Sequence, residues 1–385
     1  MKRAKLEAGI LRYALEVFKN TTGIDYELEE IDKGPAGQTL DALIRLKKDG
    51  VEYPYAIEIK ARLTNPILGA VIDRVRRFPQ KGMIITDYVN PNITDKLREM
   101  DIAFIDAAGN AYIKEPGLYL FIKGNKPGGY AKTDTFETEE INQTIYAPLL
   151  TITPQFFPPT IINQPKNQAF QPAGLKVVFA FLCDRETINA PYREIAKAAD
   201  VALGTVGWVI RNLKEQGFLV EIKKDKRRKF RRLVDRKKLL NKWVEAYNEK
   251  LRPTLILGHY TAPQDYWWQN TDIKKYGALW GGEVAAAKLT GYLKPEVATI
   301  YAKEMPVQLM RDFKMRHDPN GNVEIMRQFW DDRFNPDDQK RENKYIDIAP
   351  VIIVYADLLA AGDARNIETA GILYDKEIAG FIGEN

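Results

Sequence analysis

Hydrophobic and polar positions divide the chain into three textures. Leu6, Ile10, Leu11, Ala14 and Phe18 recur at helical spacing, which predicts an amphipathic helix over about 3–18. Alternating stretches follow at 24–31, 39–46 and 51–60. The last two are separated by Lys47 to Gly50, a Lys-Lys-Asp-Gly turn that predicts a hairpin. Helices are expected at 66–77 and 91–100, the second with Pro91 near its start, where a missing N–H costs nothing. Short apolar strands are expected at 82–86, 102–105, 111–113 and 118–123. The order α-β-β-β-α-β-α, then strands, predicts an α/β domain on a mixed sheet over residues 1–125. From 126 to 171 neither period persists, and glycine and proline punctuate a connecting segment.

The pattern sharpens again over 172–252. An apolar helix (175–182) is followed by a short one (191–199), a turn at 200–203 and a third helix ending at Gln216. Val206, Val209, Ile210 and Leu213 form one stripe on that third helix, and Gly217 suits its C-terminal cap. Residues 218–223 and 229–234 then read as a two-stranded hairpin across a polar turn. This is the element order of a winged helix-turn-helix. With the stripe facing inward, Thr205, Trp208, Arg211 and Asn212 are expected on the outer face, where a helix entering the major groove contacts base edges. Lys223, Lys224, Lys226, Arg227, Arg228, Arg231 and Arg232 are expected to contact phosphates. A helix over 236–251, ended by Pro253, serves either dimerisation or connection to the next domain. Residues 253–385 complete an α+β domain. The fold class is therefore α/β and α+β multidomain.

Charge localises the partner. The 385 residues carry 57 Lys+Arg against 52 Asp+Glu, a net of only +5. Residues 172–252 alone hold 20 basic and 10 acidic side chains, whereas 1–171 balance and 253–385 are acidic. Between Phe218 and Lys242 there are 12 basic residues against 3 acidic. A basic middle between neutral and acidic ends points to a polyanion, double-stranded DNA, held by one domain. One cysteine, Cys183, excludes an intramolecular disulfide and is expected as a buried structural thiol. Two histidines and one cysteine argue against a zinc site. The amphipathic start does not read as a signal peptide, and no apolar run approaches a membrane span, so a cytoplasmic protein is expected.

Other residues raise candidate chemistry. Asp41 lies early in one strand, and Glu58 and Lys60 lie two apart on the next, so they share a face. An Asp and a Glu can hold Mg²⁺ through oxygen, and a lysine beside them can orient water. Over residues 1–125 this order resembles the restriction-endonuclease-like PD-(D/E)xK superfamily. The resemblance implies a nuclease with Asp41 and Glu58 as metal ligands and Lys60 assisting. The alternative is a strand edge with a solvated Glu58–Lys60 pair. Otherwise no cofactor is expected. Phe104 to Glu115 contains Asp106, Gly109 and Asn110, read as a tight turn. Gly281 and Gly282 precede a small-residue helix. A nucleotidyltransferase would require a following Asp-x-Asp strand, which is absent, so a glycine turn packed against its neighbours is expected. Asp357, Asp363, Arg365 and Glu368 are expected to form a network at a helix start, or else a partner-binding face.

Three stretches, "IAFIDAAGNAYI" at 102–113, "WGGEVAAAKLTGYL" at 280–293 and "VYADLLAAGDARNIETAGILY" at 354–374, give the chain its resemblance to the AbiEi antitoxins of type IV toxin–antitoxin, or abortive infection, systems. The resemblance implies a transcriptional regulator that represses its own operon. It also implies opposition to a neighbouring toxin without a required stable complex. Better-known members carry the winged helix at the N-terminus, whereas here it follows a separate α/β domain. A homodimer on a two-fold site is expected from the usual geometry of such domains. Two other classes stay open: the Mg²⁺-dependent nuclease targeted by the winged helix, and a scaffold whose acidic C-terminal part binds a partner protein.

Overall fold

The computed structural model describes residues 2–29, 41–127, 168–225, 228–336 and 346–383. The chain divides into two compact units. One comprises Met1–Leu63 and Pro79–Lys166, the other Thr64–Phe78 and Asn167–Asn385.

The first unit is built on a seven-stranded sheet whose spatial order follows the chain. Helix α1 (Lys2–Thr22) is followed by β1 (Asp25–Glu29), β2 (Ala42–Lys48) and β3 (Val51–Lys60). These three strands pair antiparallel. Asp49 and Gly50 both take positive φ, which matches the right-handed twist of a tight hairpin and bears out the Asp-Gly signal. Helix α2 (Asn65–Arg76) leads to β4 (Gly82–Thr86), and α3 (Pro91–Glu99) leads to β5 (Ala103–Asp106). Strands β3, β4 and β5 run parallel. Strands β6 (Ala111–Glu115) and β7 (Leu118–Ile122) finish the sheet antiparallel. Ile10, Leu11, Ala14, Leu15 and Phe18 of α1 pack over Ile44, Tyr55, Ile57, Met83 and Ile105, so the predicted apolar stripe does face the sheet. Helix α2 is counted with the second unit.

In the second unit, α4 (Pro172–Cys183), α5 (Tyr192–Ala198) and α6 (Leu203–Glu215) precede β8 (Leu219–Asp225) and β9 (Arg228–Leu233). The two strands form an antiparallel hairpin with Leu219 opposite Leu233 and Ile222 opposite Phe230. Gly217, at φ +77°, reverses the chain after α6, and the Phe218 amide donates to the Leu213 carbonyl at 2.8 Å. Helix α7 (Arg236–Ala246) starts at Asp235, whose carboxylate accepts from the Lys238 amide at 3.1 Å. The expected helix to Leu251 is interrupted by a π turn at Tyr247–Leu251. Pro253 does not end the run: it sits in the first turn of α8 (Arg252–Leu255), where no amide is demanded of it.

A five-stranded sheet follows, made of β10 (Ile256–Thr261), β11 (Ala278–Gly281), β12 (Ala298–Ala302), β13 (Arg316–His317) and β14 (Val323–Arg327). Its order is β11-β12-β14-β10-β13, with only β12 and β14 parallel. Helices α9 (Gly282–Thr290), α10 (Val307–Asp312), α11 (Val351–Ala361), α12 (Ala364–Leu373) and α13 (Ala379–Gly383) complete the unit. Helix α11 is buried along nearly its whole length, as its all-round apolar sequence demands. Its Tyr355 hydroxyl donates to Asp73 of α2 at 2.6 Å, and Arg77 donates to the same carboxylate. Phe179 of α4, Trp243 and Tyr247 pack with Phe329 and Trp330, so residues 172–252 share an aromatic core with the sheet that follows them.

Candidate nucleic-acid interface

Helix α6 presents two unlike faces. Val206, Val209, Ile210 and Leu213 are fully or almost fully buried, as their spacing predicts. Leu203, Gly204, Trp208 and Arg211 are exposed, with Trp208 53 % exposed although tryptophan is the costliest side chain to leave in water. Thr205 is half-buried on the flank of this strip. Asn212 departs from expectation. Its side-chain oxygen accepts from the Ala169 amide at 3.3 Å and from Gln216 Nε2 at 2.8 Å. It lies one residue past the exposed strip, where the helix has turned toward the segment before α4, and its role there is to satisfy a backbone donor.

The hairpin combines charge with an apolar outer face. Val220, Ile222, Phe230 and Arg232 are exposed. Arg231 is drawn inward. Its guanidinium donates to the Ile188 carbonyl at 2.8 Å and lies 4.9 Å from the centre of the Tyr192 ring, while its backbone exchanges hydrogen bonds with Asn189. Arg231 therefore fixes the hairpin against α5. Lys223 and Lys229 are placed opposite each other by backbone register, as are Asp225 and Arg228. Lys224 belongs to the same strand as Lys223. Lys226 and Arg227 lie outside the described residues. Cys183 is half-buried, and burial pushes its thiol pKa up, away from a reactive thiolate.

The first unit brings Asp41, Glu58 and Lys60 together. Asp41 stands one residue before β2, and its carboxylate accepts from the Ile59 amide at 2.8 Å. Glu58 and Lys60 are 3 % and 5 % exposed and pair at 3.0 Å. The alternative of a solvated pair at a strand edge does not hold: β3 is the third strand of seven, and its closing residues are enclosed. The Asp41 carboxyl is raised to about 6, first by the protein packed around it and then by the Glu58 charge. The residue as a whole is exposed, so solvent still reaches it. Glu7 of α1 adds to the same negative field, a participant that strand spacing could not disclose. A divalent cation suits this donor chemistry, since it would relieve repulsion between the carboxylates. Among the described residues, however, no group of three or more His, Cys, Asp or Glu forms a metal cage.

The Asp106 turn is structural. Its buried carboxylate accepts from the amides of Val89, Ala108 and Asn110 and from the Asn110 side chain. Gly281 and Gly282 also act in packing. A Cβ on Gly281 would lie 2.5 Å from the Tyr301 ring, and one on Gly282, at φ +45°, 2.6 Å from Thr299 Oγ1. Thr299 and Tyr301 occupy the following strand, β12.

The acidic residues near the C-terminus do not form one network. Arg365 reaches neither Asp363 nor Glu368 but pairs with Glu283 at 3.0 Å and Glu296 at 2.8 Å. Asp363 instead caps α12, and Glu368 accepts from Tyr292. Asp357 lies on α11 within a buried cluster that hydrophobic spacing does not disclose. Arg252 Nε donates to it at 3.0 Å, and Tyr301 donates at 2.9 Å. The same guanidinium grips Glu324 with both terminal nitrogens, at 3.1 and 2.5 Å. Burial raises the Asp357 carboxyl to about 6 against the pull of Arg252.

Comparison with known families now bears on the second half of this molecule. Residues 232–379 match the family described as transcriptional regulator, AbiEi antitoxin, type IV TA system. The AbiEi match contains two of the three stretches that suggested the family, 280–293 and 354–374, and bears out that resemblance over those residues. It begins at Arg232, so α6 and most of the hairpin precede it, as does the first unit. No curated protein and no solved structure matches the chain. Among the described residues, no helix is long and apolar enough to cross a membrane.

Proposed function

We propose that this protein is a DNA-binding transcriptional regulator, an antitoxin-like autorepressor of a type IV toxin–antitoxin operon. The observation that carries the reading is the exposed Leu203–Trp208–Arg211 strip of α6 beside a basic hairpin. Helices α4 to α6 with β8 and β9 have the order of a winged helix-turn-helix, in which α6 enters the major groove. The hairpin's composition supports a polyanionic partner, with 12 basic residues against 3 acidic between Phe218 and Lys242. The AbiEi match adds the regulatory context. Arg211 is assigned to base edges with Trp208. Thr205 flanks them. Lys223, Lys224, Lys226, Arg227, Arg228 and Arg232 are assigned to phosphates, whereas Arg231 positions the hairpin and Asn212 serves the fold. The protein acts as a homodimer on a two-fold site, and it opposes its toxin without a stable complex.

The test is a reporter driven by the protein's own upstream DNA. The wild-type chain represses it, and Arg211→Ala, produced at equal level, does not. Equal expression with and without the wild-type protein would sink autorepression.

A second reading is favoured by the enclosed Glu58–Lys60 pair beside Asp41. The first unit would then be a restriction-endonuclease-like domain in which Asp41 and Glu58 hold Mg²⁺. The ion when bound supplies Lewis acidity and a more acidic water. Lys60 holds its ammonium beside Glu58, and Asp41 must lose its proton before it can ligate. DNA cleavage that needs Mg²⁺ and vanishes in Glu58→Ala would support this reading. Folded protein that leaves single- and double-stranded DNA intact with Mg²⁺ or Mn²⁺ would refute it.

A further inference from the structure

We infer that α6 recognises thymine, through contact of Leu203 and Trp208 with the C5-methyl groups that thymine presents in the major groove. The inference rests on the DNA-binding reading above and specifies what that helix reads. Leu203 and Trp208 are 48 % and 53 % exposed, at the open start and middle of a helix whose core stripe is otherwise satisfied. They sit in the segment of net charge +10, so the surface that covers them must tolerate a dense positive field. A polyanion does so, and an ordinary protein face does not. Within the major groove, the apolar feature offered by a base edge is the thymine methyl.

Two glycines of α6 strengthen the case. A Cβ added at Gly204 would meet nothing within 4 Å, and one at Gly207 would find only Tyr192 at 3.7 Å, an ordinary contact. Neither has a positive φ. Alanine would therefore fit at both positions and would hold the helix better, since glycine is the poorer helix former. The fold draws no benefit from these glycines. A bare backbone beside Leu203 and Trp208 lets an external surface approach closely, and Gly204 stands on the same exposed strip as Trp208 and Arg211.

The experiment uses the full chain and a duplex selected by it from a random library. Thymidine at each position of that duplex is replaced in turn by deoxyuridine, which lacks only the methyl. Binding of the wild-type protein should weaken about three- to four-fold for each contacted methyl removed. In Leu203→Ala/Trp208→Ala, whose circular dichroism is checked against wild type, thymidine and deoxyuridine at those positions should bind equally. Gly204→Ala should raise the melting temperature and weaken binding to the selected duplex, opposite signs that a purely structural glycine would not give. Equal binding of thymidine and deoxyuridine duplexes by the wild-type protein, with sequence preference intact, overturns the inference alone. Absence of any preference for selected over random duplex overturns the DNA-reading role beneath it. A Trp208→Ala variant that changes oligomeric state but binds DNA unaltered assigns the strip to a second copy and likewise overturns it.

Discussion

Replacing Arg252 by methionine should destabilise the second unit by about 3–5 kcal/mol at neutral pH. Methionine keeps much of the apolar stem but leaves two buried carboxylates, Asp357 and Glu324, without their shared cation. The magnitude should depend on pH. In the intact protein Asp357 titrates near 6 rather than 3.8, because burial outweighs Arg252. The folded state therefore holds this proton more tightly than the unfolded chain. That contribution favours folding fully below the unfolded value and is lost as pH rises through about 6, a swing of about 3 kcal/mol. Without Arg252 the carboxyl rises further. The deficit of Arg252→Met should then be smaller at about pH 5, where Asp357 is protonated, than at about pH 8. Urea unfolding of the full chain, followed by tryptophan fluorescence at both pH values, reads this directly, because Trp243 stacks on Tyr247 beside the cluster. Adding Asp357→Asn to the variant should recover part of the loss at the higher pH. A deficit under about 0.5 kcal/mol, the range of an ordinary surface change, would refute the account of this cluster. So would a deficit that does not vary with pH.

Three further outcomes follow from the geometry. Arg211→Ala should cost roughly 1–3 kcal/mol on a specific site and little on random duplex, as measured by anisotropy titration; equal loss on both would remove Arg211 from base reading. Arg232→Ala, at an exposed hairpin position, should weaken binding to all sequences alike and reduce the salt slope by about one, and an unchanged slope would take it out of the interface. Gly282→Ala should lower thermal stability by about 1–3 kcal/mol, since it forces a side chain into φ +45° and against Thr299; a neutral variant would contradict that packing.

Local order was legible in the sequence where a short period decides it. The β2–β3 hairpin needed only its Asp-Gly turn, and the core stripe of α6 needed only residues three and four apart. Side chains at the margin of a helical face are harder to place. Asn212 follows the exposed Arg211 by one residue, a rotation of about 100°, and that is enough to turn it to Ala169. Distant partners leave no trace in periodicity. Arg252 finds Glu324 72 positions away and Asp357 105 away, on elements that become neighbours only in the folded unit. The π turn at Tyr247–Leu251 is invisible for a related reason. It shifts the helical register locally while the residues remain apolar at the positions expected of an α-helix. Glu58 and Lys60 were correctly placed on one face, but their burial depends on β3 lying inside a seven-stranded sheet rather than at its edge.

The central claim is that α6 and its hairpin form a specific duplex-DNA interface. It is tested most directly by fluorescence anisotropy of the purified full chain on its own upstream DNA and on random duplex, across a salt series. Binding to the upstream DNA should be about 10³-fold or more tighter at near-physiological salt, with affinity for both falling steeply as salt rises. Equal affinity for the two would leave a basic hairpin without sequence reading and would contradict the claim.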